Sequence, residues 1–298
     1  LSAVRSKGEV MSLNIPLAAA ANLAPKRPRA WPAANALIGG GLLLTLISLA
    51  LLGLVWSPFD PLKIDLMSRF QAPSATHWLG TDEFGRDAFS RLLIGARTSL
   101  WVSLLTVSVA VCAGTLIGML AGYLRGWTDR LLMMFNDALL AFPGILMALG
   151  IMAIIGASKY GIVLALGIAY TPSVVRVVRG TVLSLRELEY IEASRVIGNS
   201  ELYTMFRHIA PNCLAPLCVL ATSMFGWALL SESALSFLGL GVPPPAATWG
   251  NMLASSRPYM ASAPWLGVFP GLFICLALLA INLFGDALRD RLDPRMRK

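Results

Sequence analysis

The chain has 298 residues, 56% of them hydrophobic and 13% charged, with a net charge of +8 and a mean hydropathy of +0.69. Soluble domains are roughly 45–50% apolar and 25% charged, so this balance excludes a water-soluble globular protein and calls for lipid as the solvent. The basic excess raises nucleic acid as a partner, but the Lys and Arg residues sit between apolar blocks and follow a membrane pattern that accounts for the charge by itself.

The opening segment is polar and then basic at Lys26, Arg27 and Arg29, whether it starts at Leu1 or at Met11. The apolar block after it is too long for a removed leader and lacks a clear small-residue cleavage site, which predicts a retained first span. Runs free of Asp, Glu, Lys, Arg and His follow at 30–59, 98–124, 138–158, 160–175, 209–231 and 258–285. A bilayer core of about 30 Å needs about 20 helical residues, and five of these runs reach that length. The run at 160–175 is short, but Val177, Val178, Val182 and Leu183 extend it when Arg176 and Arg179 reach out to the interface.

The expected fold is therefore an all-α polytopic membrane protein with six transmembrane helices, since no run shows the alternation of a barrel strand. The predicted order is a tail at 1–33, spans at 34–56, 98–124, 131–155, 160–183, 209–231 and 261–285, and a basic tail at 286–298. Long outer loops are expected at 57–97 and 232–260, and an inner loop at 184–208. Seventeen of the 24 Lys and Arg residues fall on the side of the two tails and seven on the other, which predicts that both termini are cytoplasmic.

Chemical machinery is sparse. No G-x-x-x-x-G-K-[ST] loop exists, and Gly39-Gly40-Gly41 lies inside an apolar run without a following Lys. His77 and His208 fall on opposite sides of the membrane, so no His-based metal site or triad assembles. Cys112, Cys213, Cys218 and Cys275 lie in apolar stretches and read as packing residues. The span centres carry no ionisable group of the kind ion-driven carriers use, and Asp137 reads as a helix-end carboxylate paired with a nearby Arg. A self-powered pump and a membrane hydrolase both lack their parts.

The inner loop is richer. Glu187, Glu189 and Glu192 open a helix, Gly198-Asn199-Ser200 supplies a stop and a new cap, and Leu202, Met205, Phe206 and Ile209 give a second helix an apolar stripe before Pro211. Alone, this is either a loop tucked against its own bundle or a helix-turn-helix projecting towards a partner. Glu192-Ala193-Ser194, Gly198 and Ile209-Ala210-Pro211 resemble the "EAA" loop of permease subunits of bacterial ATP-binding-cassette importers, with Ser194 and Ala210 departing from the usual residues.

Two outer segments sharpen the resemblance. His77 to Leu100, with Gly80, Thr81, Asp82, Gly85, Arg86 and Asp87, is similar to the LGTDxxGRDxxSRxxxGxRxSL signature of the dipeptide, oligopeptide and nickel permeases. Glu232 stands before Leu235 to Leu253, where Gly239, Gly241, Pro243, Pro244, Trp249 and Gly250 resemble the FLGLGxxPPxPxWGxML segment of the C-type subunit. Read physically, Thr81-Asp82 suits an Asx turn or cap, Arg86 and Asp87 offer opposite charges to fix the outer loop, and Glu232 either faces the pathway mouth or, the preferred reading, pairs with an Arg. The rival reading makes the first outer segment a contact for a substrate-delivering protein.

The resemblance covers about residues 33–298 and implies the permease fold of a type I importer, with its core at 98–285. It implies a subunit of the bacterial inner membrane that binds no cofactor or metal and has no ATPase site. Its expected partners are a B-type permease subunit, two ATPase subunits that hydrolyse ATP, a periplasmic substrate-binding protein and membrane lipid. The implied cargo is di- or oligopeptides, with nickel or another peptide-like solute as the alternative, and a stand-alone secondary transporter as the rival from another class. Glu192, Ala193, Ser194, Gly198, Ile209 and Pro211 are the expected coupling residues. Glu192 would anchor the ATPase, Ala193 would permit close packing and Gly198 would make the turn.

Overall fold

Lipid gives helices no hydrophobic drive to associate, so a membrane bundle has to bring backbones close enough for dispersion forces to hold them. In the computed structural model, which describes residues 31–292, that approach is built into one sequence run. Helix α2 (Ala88–Leu124) carries Gly114, Gly118 and Gly122 at four-residue spacing, and α5 (Lys159–Leu185) lays Val174, Val178 and Val182 into the groove they leave. A Cβ on Gly118 would lie 2.8 Å from both the Val175 carbonyl oxygen and the Val178 Cβ, and one on Gly114 only 2.5 Å from Val174. Gly167 on α5 returns the contact to Val109. Residue numbers rise together along this seam, so α2 and α5 run parallel.

The remaining elements are α1 (Trp31–Val55), α3 (Gly126–Leu140), α4 (Gly144–Ile155), α6 (Glu189–Val196), α7 (Glu201–Thr204), α8 (Ala210–Phe237), α9 (Trp249–Ser256) and α10 (Trp265–Leu292). The described residues hold no strand beyond one isolated bridge, Thr81 to Asp87. Helix α1 packs on α10, where a Cβ on Gly39 would meet Leu283 at 2.7 Å, and touches α2 where Gly53 lies against the Leu93 carbonyl. Three buried clusters follow from these pairings. One joins α1, α2, α9 and α10 around Trp249, one joins α2, α4 and α5, and one runs from α2 and α5 through the inner loop to α8.

Five helices are long and apolar enough to cross a membrane, and α3 with α4 makes a sixth crossing only as a pair bent by 90°. The expected straight span at 131–155 is thus corrected. Pro143 stands at the start of α4, a proline disfavours helix at the residue before it, and at about 22 Å and 18 Å neither half spans about 30 Å alone. The first half, α3, is tied to α5 by two ion pairs. Arg179 grips Asp129 with two nitrogens at 2.6 and 2.7 Å, and Arg176 meets Asp137 at 2.8 Å, which is the pairing expected of Asp137. The expectations for residues 1–30 and 293–298 lie outside the described residues.

Filling the seam should be costly, because the valines facing it have no free rotamer to retreat into. Gly118→Leu is expected to lower the thermal stability of the purified protein by ~1–3 kcal/mol or to abolish its accumulation. Gly180→Leu, where a Cβ meets nothing within 4 Å, is expected to leave both near wild type in a detergent melting assay.

Candidate coupling loop and outer plug

The inner loop is a compact knot. Helix α6 starts after Leu188 and ends at Ile197, and Gly198 turns the chain at φ +89, a conformation other residues adopt only with strain. Ser200 caps α7 by accepting from the Tyr203 N–H. Inside the turn, Ser194 Oγ lies 3.1 Å from Thr204 Oγ1 and accepts from Asn199 Nδ2 at 3.0 Å. The expected second helix is shorter than its stripe predicts. It lasts four residues, then a π turn, Met205–Ile209, feeds straight into α8. Met205 and Ile209 are buried while Leu202 and Phe206 face outward, so the stripe is split between the bundle and the exterior.

Of the expected coupling residues, Ser194 and Ile209 are buried, Glu192, Ala193 and Gly198 are exposed, and Pro211 lies exposed in the first turn of α8. The apex presents Val196 and Ile197, each at least 80% exposed, with Leu202 and Tyr203 beside them.

Its base is clamped to the end of α2, a feature sequence reading missed. Arg186 donates to the Tyr123 carbonyl oxygen at 2.6 Å, and the guanidiniums of Arg186 and Arg195 lie 5.8 and 5.4 Å from the Tyr123 ring centre. Arg125, two residues on, meets Glu187 at 2.9 Å. Tyr123 lies in an apolar run with nothing in its spacing to mark it.

At the other end of the bundle, the Gly80–Asp87 segment folds on itself. Asp82 is buried and accepts from the Phe84 and Arg86 N–H groups at 2.9 Å and from Arg86 Nε at 2.7 Å, with Arg91 Nε at 3.4 Å. Thr81 joins Gln71 and Ser68, and Gly80 and Gly85 both hold positive φ against a neighbouring carbonyl. Arg86 pairs with Asp82 and Glu83 and leaves Asp87 to other work. Asp87 caps α2 through the Ser90 N–H at 2.7 Å and meets His77 Nδ1 at 2.9 Å. Asp65 caps a short turn nearby, and the Ser68 hydroxyl and Met67 N–H hold its carboxyl below the usual range. Glu83 goes the other way. Burial, with Asp82 alongside, pushes its carboxyl above the usual range despite Arg86 at 3.6 Å.

The second outer segment makes a plug. Trp249 is fully buried, its Nε1 donating to the Leu92 carbonyl and its backbone N–H to Ser99 Oγ, both at 3.2 Å. Gly95 admits the indole, and Gly250 lies where a Cβ would come within 2.7 Å of Ser233. Thr248 and Asn251 form a reciprocal cap on α9. Gly241 packs on Ser236, Gly239 turns at φ +81, and Pro243 and Pro244 are exposed in the loop between. The expected pairing of Glu232 with an Arg is corrected. Its carboxyl is fully buried, accepts from Ser236 Oγ at 2.8 Å, faces the Ser99 and Thr248 hydroxyls, and has no ion pair among the described residues. Hydroxyls brought in from α2 and α9 do the work a cation was expected to do. Among the described residues no cluster of His, Cys, Asp and Glu could hold a metal ion.

The MetNI methionine transporter, solved in inward-facing conformations, matches 67% of this chain and 94% of its own chain with a TM-score of 0.53 at 16% identity, which establishes the fold. At the level of sequence, residues 114–298 match the binding-protein-dependent transport system inner membrane components, and the chain belongs to that family. The dipeptide transport system permease protein DppC of Alkalihalophilus pseudofirmus is 48% identical over 77% of this chain and 76% of its own length. The glutathione transport system permease protein GsiD of Pectobacterium atrosepticum is 42% identical over 88% and 87%. The protein is thus a multi-pass inner-membrane permease subunit of an ATP-binding-cassette importer.

The outer loop carries a pH signature with a definite sign. A carboxyl raised in the folded state favours folding while protonated, and that contribution is lost as pH rises through the folded value. Glu83→Gln is therefore expected to raise the unfolding temperature at pH 7, and the gap over wild type should close below the ordinary value of 4.5. Melting curves across that range check it.

Proposed function

We propose that this subunit imports peptides of two or a few residues, working as one half of a heterodimeric pathway with a B-type permease, two ATPases and a periplasmic binding protein. The chain itself binds no ATP and catalyses no reaction. The exposed tip of the inner loop, Val196 and Ile197 on a base locked to Tyr123, carries the reading. A stand-alone carrier has no use for a rigid apolar knob outside the membrane, whereas a subunit driven by a separate ATPase needs one. In this reading the loop and both termini are cytoplasmic, in keeping with the Lys and Arg distribution.

In this reading Glu192 is the exposed polar anchor beside the knob, Ala193 lets the ATPase approach, and Gly198 holds the turn that aims it. Closure of the ATPases on ATP moves the knob, and the Arg186 and Arg195 clamps pass that motion to α2 while α8 receives it directly from the π turn. A peptide cargo is supported by relatives named for dipeptide and glutathione transport at 42–48% identity. Glutathione is itself a small peptide, so the two names point to one chemical class.

Val196→Asp with Ile197→Asp is expected to leave the permease pair assembled and to remove the ATPase from a mild-detergent pull-down, with uptake of labelled dipeptide falling to background. Glu192→Lys should weaken the same association. Wild-type protein that purifies without any ATPase, or uptake that survives ATP depletion and follows an ion gradient, would overturn the assignment in favour of a stand-alone carrier. Gly198→Arg is expected to abolish ATP-driven uptake while the subunit still reaches the membrane, since a Cβ there has open space but the backbone is strained.

A further inference from the structure

Between α1, α2, α8 and α10 lies a side groove of about 860 Å³ that plays no part in the coupling loop or the plug. On α1 its lining runs from Leu43 to Leu54, and on α2 from Arg97 to Val107. At 1.5 Å per residue these are lengths of about 16 and 15 Å. Half of a hydrocarbon core of about 30 Å is the same depth, so the groove is one leaflet deep. Two cations mark a single end. Gly53 lies against the Leu93 carbonyl, so Arg97, one turn further along α2, stands within about 6 Å of the level of Gly53, and the parallel seam puts Lys159, at the start of α5, at that same end. Neither Arg97 nor Lys159 has an ion pair or a side-chain hydrogen bond among the described residues. Trp101, one turn below Arg97 and half exposed, sits where aromatic side chains settle at a headgroup boundary.

We propose that this groove is a site for an anionic phospholipid, with the acyl chains along α1 and α2 and the phosphate between Arg97 and Lys159. The lining argues against a peptide in transit. Apart from the two cations and the indole N–H of Trp101 its only polar side chains are Thr98 and Thr222, and both hydroxyls are already donated to their own helices, to the carbonyls of Ile94 and Val219. Peptide amides would be left without partners there, at a cost that acyl chains do not incur. It argues less well for a helix of a partner subunit, because a transmembrane helix brings no anion to two cations at the headgroup level.

The test uses the assembled transporter, purified in mild detergent and exchanged into nanodiscs of phosphatidylcholine with or without phosphatidylglycerol. Native mass spectrometry should find phosphatidylglycerol retained on wild type, with about five-fold weaker retention for each cation removed in Arg97→Gln and Lys159→Gln, the weight of one basic side chain near an anionic surface. Arg97→Lys should restore most of it. A photo-crosslinking residue placed at Ile47 should give a lipid adduct. Equal retention in the double variant, equal retention of the zwitterionic lipid, or a crosslink from Ile47 to the partner permease would each overturn the proposal. The last would make the groove a subunit interface.

Discussion

Everything in this molecule hangs on how closely α2 and α5 approach. In water, apolar faces would be driven together whatever their shape, but in lipid the faces of two helices are already solvated, and only contact at van der Waals distance distinguishes the packed state. The glycines at 114, 118 and 122 open that distance, and the stiff valines at 174, 178 and 182 fill it with little rotamer entropy to lose. Once the pair is formed, the Arg179–Asp129 and Arg176–Asp137 pairs can hold the bent α3–α4 segment against it, and α8 packs across both. The seam also fixes which end is which, because parallel helices force a long return path and so place the inner loop and the outer plug at opposite ends.

Both of those attachments use the same economy. Each is joined to the bundle by one large aromatic ring and a few polar atoms that serve more than one neighbour. Tyr123 offers its ring to two guanidiniums and its carbonyl to one of them, while Trp249 seals the outer end with its ring and spends its indole N–H on a helix carbonyl. Ser99 both accepts from the Trp249 backbone and faces Glu232. Such shared groups make a junction that is either whole or broken, which is what a two-state pathway requires of its joints.

The class of fold was legible in the sequence, because uncharged runs are a one-dimensional signal that lipid imposes directly. The Asp137 pair was also legible, being a carboxylate near a helix end with arginines in range. What escaped was three-dimensional. The break at Pro143 lay inside an uninterrupted apolar run, and hydropathy does not register direction. The stripe from Leu202 to Ile209 had helical period but is divided, Met205 and Ile209 facing the bundle while Leu202 and Phe206 face outward, and the π turn that holds three of the four has no signal of its own in the sequence. Glu232 was expected to pair with an Arg at the outer end of its span; the hydroxyls that meet it instead are Ser236, Ser233, Ser99 and Thr248, and the last two come from elements far off in sequence. Tyr123 carried no pattern at all, because its role is defined by two arginines more than sixty residues away.

The π turn has one further mechanical result. Because it continues into α8 without interruption, Glu201–Phe237 forms one 37-residue helix that starts in the inner loop and ends at the plug. Such a helix is about 55 Å long, and a tilt of five degrees about its midpoint swings each tip by roughly 2.5 Å in opposite senses. That is the scale of a side-chain hydrogen bond, and the Ser99 and Thr248 hydroxyls that reach Glu232 from α2 and α9 are the contacts at the outer tip that such a tilt would lengthen.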